Sequence, residues 1–165
     1  MTASELIGAI SPALAARILE EIHSTDKELY RVAVGAVAQA KKVRPVFLER
    51  QPRAERHRFM IPVLSRAELN PIAGNVVSGW LVKTQSAMLI DFLDALKIKH
   101  DKGVVEDLPE KVEDADLNNA VNLLLGKHPR EVVALYLRAF HDMNDANWGN
   151  LQKLLSEDDR LRLGE

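Results

Sequence analysis

The chain has 165 residues, 47% hydrophobic and 28% charged, with a formal net charge of -2 and no cysteine. A chain of this length can bury about 70% of the surface exposed by its unfolded form, so it needs neither metal nor disulfide to be stable. The missing thiols exclude cysteine nucleophiles, zinc ribbons, iron–sulfur clusters and redox dithiols, and the near-neutral charge argues against a protein that coats nucleic acid with its whole surface.

Apolar residues recur at helical spacing almost throughout, and alternating runs bounded by Asn-Gly or Asp-Gly are missing. The expected fold is therefore all-α, a multi-helix orthogonal or stacked helical-hairpin array. Residues 1–165 are read as a single helical domain, with 1–68 and 69–165 as its possible sub-units. The N-terminal stretch has no basic region and carries Glu5 where an export signal has Lys or Arg, so a cytoplasmic protein is expected. Ser11-Pro12 pairs a cap with a proline at the first helical position and opens a helix through about Ser24. Thr25 or Asp26 caps the next helix. There Leu29, Tyr30, Val32, Ala33, Val34, Ala36 and Val37 lie nearly all round the cylinder, the pattern of a central helix. Pro45, Pro52 and Pro62 should then cut Val43–Leu64 into short pieces, because each removes a backbone donor and restricts the residue before it.

The stretch from Leu69 to Val82 is uncharged, but Asn70, Pro71, Gly74, Asn75, Ser78 and Gly79 interrupt it, and it is too short for a membrane span. Shifted by 44 residues, Asn75–Leu96 falls without gaps on Asn119–Phe140. Asn75, Val77, Leu81, Lys83, Leu93 and Ala95 meet identical residues, and Phe92 meets Tyr136. The shift suggests an internal duplication of a two-helix unit, about 75–108 and 119–152, with a period similar to HEAT-like or armadillo-like arrays.

Catalytic patterns are sparse. The eight glycines never cluster, so no phosphate loop is expected, and neither G-x-S-x-G nor H-E-x-x-H occurs. Glu20 and His23 form a lone Glu-x-x-His pair, where a di-iron bundle takes two such pairs and two further glutamates. His100-Asp101 and His141-Asp142 resemble the dipeptides of metal-dependent phosphohydrolases, but the resemblance stops at the dipeptide. No catalytic residue, metal ligand or cofactor is assigned, and a non-enzymatic role is favoured.

Charge is more informative. Between Lys41 and Arg58 seven basic residues, Lys41, Lys42, Arg44, Arg50, Arg53, Arg56 and Arg58, face only Glu49 and Glu55. Asp101–Asp116 is the opposite, with Asp101, Glu106, Asp107, Glu110, Glu113, Asp114 and Asp116 against Lys102 and Lys111. The acidic stretch reads as an exposed linker, although opposite segments of this kind also suit a meeting within the fold or between subunits. Phe47 and Phe59 lie within the basic stretch and are read as core anchors. Trp80 and Trp148 are amphipathic enough to anchor an interface, with core burial as the competing reading. The functional expectation is a helical interaction module that binds a protein partner or its own copy. The alternative is nucleic-acid binding through the basic residues of 41–58.

Overall fold

A computed structural model describes residues 1–164, and it is helical, with ten α-helices among the described residues. The all-α expectation therefore holds. The chain forms two compact units, Met1–Trp80 and Leu81–Glu165. No described helix is long and apolar enough to cross a membrane.

The first unit contains α1 (Ala3–Ala9), α2 (Pro12–Thr25), α3 (Lys27–Ala40), α4 (Pro45–Glu49), α5 (Arg53–Leu64), a 3-10 turn at Ala67–Leu69 and most of α6 (Asn70–Thr84). Local chemistry sets the boundaries. Thr2 and Glu5 form a capping box on α1, satisfying two backbone donors reciprocally. Ser11 Oγ accepts from the Leu14 N–H to start α2, and Asp26 Oδ1 accepts from the Leu29 N–H to start α3.

Two expectations for this unit change. On α3 the buried residues are Tyr30, Ala33, Val34, Val37 and Ala38, an i, i+3, i+4, i+7, i+8 stripe, while Val32 points outward. The helix is thus one-sided and packs on α2, α4 and α5; its apolar residues outnumber those facing the core. Pro62 does not end α5, which continues to Leu64. Pro62 and Arg58, the residue whose carbonyl loses its helical partner, are both exposed, so water can take the missing donor's place.

The second unit contains α7 (Ser86–Ala95), α8 (Asp114–Lys127), α9 (Arg130–Met143), α10 (Gly149–Glu157) and a 3-10 turn at Asp159–Leu161. Here α9 takes the central position that its sequence did not advertise. Every residue from Val132 to Leu137 is buried, together with Ala139 and Phe140. Phe92, Tyr136, Phe140 and Trp148 form a chain of ring contacts with centroids 5.2–6.0 Å apart, most of them edge-on. Arg138 donates to the carbonyls of Leu155 and Leu161 and so ties the C-terminal turn to α9.

The 44-residue offset is visible in the helix boundaries, since α7 opens at Ser86 and α9 at Arg130. Buried positions also correspond, as with Leu89 and Val133 or Leu93 and Leu137. The match lapses further along, where Val104 is exposed and Trp148 is buried. Two pairs of consecutive helices joined by short turns give this correspondence by themselves, and a duplication is not established.

Candidate interaction surface

The basic segment spans the turn after α3, all of α4 and the start of α5. Its first corner is a tight one: Lys42 has φ 55°, and the Val43 N–H donates to the Ala38 carbonyl. Pro45 then starts α4 at its first turn, Pro52 caps α5, and only one short helical stretch fits between them. A five-residue helix has one inward position, and Leu48 takes it. The rest of α4 faces outward.

That geometry sorts the seven basic residues into two groups. Arg56 is structural. Its guanidinium donates to the carbonyls of Leu48, Glu49 and Gln51, at 2.8, 2.8 and 3.0 Å, and to Tyr30 Oη at 3.1 Å. These bonds satisfy the carbonyls at the C-terminal end of α4. Arg53 is paired with Glu20 at 3.1 Å. By contrast, Lys41, Lys42, Arg44, Arg50 and Arg58 are exposed and form no ion pair among the described residues.

Between these free cations lie apolar side chains. Phe47 is 49% exposed and Val46 is 42% exposed, and with Val43, Arg44, Arg50 and Gln51 they line an open depression. The expectation that Phe47 anchors the core is therefore corrected: α4 is too short to turn both Phe47 and Leu48 inward. Phe59 is half-buried, meets the Phe47 ring edge-on at 6.4 Å, and carries Lys41 Nζ 5.8 Å from its centroid. The exposed aromatic is the feature missed from sequence. Its signal was the Pro45 to Pro52 spacing, which limits α4 to little more than one turn.

Behind this surface sits a polar cluster that the sequence did not reveal. His57 is 3% exposed, and its Nε2 lies 2.8 Å from Tyr30 Oη. The hydroxyl also accepts from Arg56, and on the other side of the ring His57 Nδ1 lies 3.8 Å from Glu20 Oε2. Burial holds His57 below its ordinary pKa; Glu20 opposes the shift and Arg56 adds to it. His23 is also lowered, chiefly by burial and then by Arg53, and it stacks edge-on against Tyr30 at 4.8 Å. Glu20 and His23 thus belong to a hydrogen-bonded and ion-paired support for α4 and α5.

The other candidates have structural employment. His100 Nδ1 accepts from the Gly103 N–H and its Nε2–H faces Asp94 Oδ1 at 2.7 Å, so both ring nitrogens hold a turn. His141 Nδ1 pairs with the adjacent Asp142 at 2.7 Å. No group of three or more His, Asp or Glu able to hold a metal occurs among the described residues. Trp80 and Trp148 are both core residues. The Trp80 indole donates to Glu21 Oε2, and the Trp148 indole donates to the Pro109 carbonyl. Neither offers surface to a partner, which removes both from the set of interface candidates.

The acidic segment is exposed but anchored. Besides the Trp148 bond, Asn150 Nδ2 donates to the Val112 carbonyl and to Asp114 Oδ1. Asp101 and Val104 exchange two backbone hydrogen bonds of 2.9 Å around Lys102 (φ 52°) and Gly103 (φ 91°), a tight turn with both central residues left-handed.

No family model, no curated protein and no solved structure matches this chain.

Proposed function

We propose that the protein is a non-enzymatic helical interaction module and that it recognises a protein partner through α4. The observation that carries this reading is the exposure of Phe47 and Val46 in a depression that Arg44 and Arg50 also line, on a segment whose five exposed cations form no ion pair among the described residues. An apolar centre with a polar rim is the anatomy of a recognition patch, and an aromatic side chain is its commonest anchor. The rim selects a partner that is acidic around an apolar contact, since charge governs encounter and orientation more than affinity. Affinity capture with the wild-type chain and with a Val46→Asp, Phe47→Asp variant tests this. A partner retained by the first, lost by the second and rebound in purified form supports the proposal. Identical capture by both chains contradicts it.

The same exposed Phe47 among cations supports a second reading, in which the surface binds single-stranded nucleic acid by backbone charge and base stacking. With Arg53 and Arg56 engaged, Lys41, Lys42, Arg44, Arg50 and Arg58 remain for phosphates. Contact by all five would make log K fall with log salt at a slope of about -3.5. Absence of binding to a single-stranded oligonucleotide at low salt removes this reading.

A further inference from the structure

We infer that the partner of the α4 surface is a second copy of this chain, which presents its acidic segment around Val104. The inference rests on reading α4 as a protein-recognition surface, and it follows from complementarity in charge and in apolar contact. The basic segment carries five exposed cations without ion pairs, around Val46 and Phe47. In the acidic segment Asp101, Glu106, Asp107, Glu110, Glu113 and Asp116 are exposed and likewise form no ion pair among the described residues. Each segment also displays an exposed apolar side chain, Val46 and Phe47 in the basic one and Val104 near the start of the acidic one. Val104, 50% exposed, stands with Phe47 and Val32 as the most exposed large apolar residues described. Isolated exposed apolar residues are ordinary; what distinguishes these two is that Phe47 lies in a predominantly basic segment and Val104 in a predominantly acidic one, in which Lys102 and Lys111 are the exposed exceptions.

The presentation of Val104 is built. The Asp101–Val104 turn is closed by two backbone hydrogen bonds, its Gly103 N–H is held by His100, and His100 is held by Asp94. A side chain held in this way loses little freedom when it docks, which lowers the cost of association. The two surfaces lie on different segments, so the contact is heterologous: one copy's α4 meets the other's turn. Such contacts close into a ring or dimer where geometry allows and otherwise propagate. The patch is small and its charges are exposed, so the association should be weak and should fade once added salt shortens the Debye length.

Sedimentation velocity on the full-length chain tests this. The wild type should show a sedimentation coefficient that rises with protein concentration at about 20 mM salt and no longer does so at about 500 mM. An Arg44→Glu, Arg50→Glu variant and a Glu106→Lys, Glu110→Lys variant should each be monomeric alone and should associate when mixed. Adding Val104→Ser to both variants, so that neither copy's turn keeps its apolar contact, should weaken the mixed complex at least about tenfold, which bulk attraction between unlike charges would not produce. A wild type that stays monomeric at low salt, or a mixed complex indifferent to Val104→Ser, overturns the inference. Those results leave the α4 reading to be judged by the capture comparison, where a different protein lost with Val46→Asp, Phe47→Asp identifies another occupant.

Discussion

At the scale of the residue, Arg56 shows how little of a side chain's role is carried by its charge. Its bonds to three carbonyls and to Tyr30 hold the end of α4 against α3 and α5. Arg56→Ala should therefore destabilise the chain by about 2–4 kcal/mol in denaturant titration, and Arg56→Lys should recover little, because a single ammonium cannot reproduce the fork. His57 links the same corner to pH. Its folded pKa is lowered, so the unfolded chain binds more protons in the interval between the folded value and the ordinary value near 6.5. Stability should be unaffected by His57 well above pH 6.5 and should fall as pH drops through that interval. His57→Gln should flatten this dependence, leaving a remnant from His23, whose pKa moves in the same direction. A stability curve with the same slope in wild type and variant would show that His57 is not the group being titrated.

At the scale of the element, glycines separate helices that tolerate a side chain from turns that do not. Gly35 lies within α3 with nothing within 4 Å of where a Cβ would stand, so Gly35→Ala should stabilise the chain by about 0.5–1 kcal/mol. Gly103 has φ 91°, and its Cβ would come within 2.8 Å of Leu89 Cβ. Gly103→Ala should cost about 1–3 kcal/mol, and the two unfolding curves should move in opposite directions. Helix starts were legible for physical reasons: Ser11-Pro12 and Asp26 name the cap and the first turn directly. The extent of burial was not. α3 has more apolar residues than its contacts need, while α9, with Arg130, Glu131, Arg138, His141 and Asp142 along its length, is the helix enclosed by its neighbours. Hydrophobic period identifies a helix; which faces are covered depends on partners distant in sequence.

At the scale of the whole molecule, the candidate site was half legible. The cations of 41–58 stand out in any reading of charge, but two of the seven are engaged, Arg56 in hydrogen bonds and Arg53 in an exposed ion pair, through contacts to Tyr30 and Glu20 that no local pattern encodes. Phe47 was misplaced because phenylalanine is usually buried, whereas here the two prolines leave α4 too short to bury it. The tryptophans followed the ordinary rule, each buried with its indole N–H satisfied. On the proposed reading, α4 is shaped by recognition more than by packing. Amide hydrogen exchange on the full-length chain, compared between its bound or assembled state and the dilute monomer, tests that most directly. Slowed exchange centred on Val43–Gln51 is the predicted result, and protection elsewhere with Val43–Gln51 unchanged would contradict it.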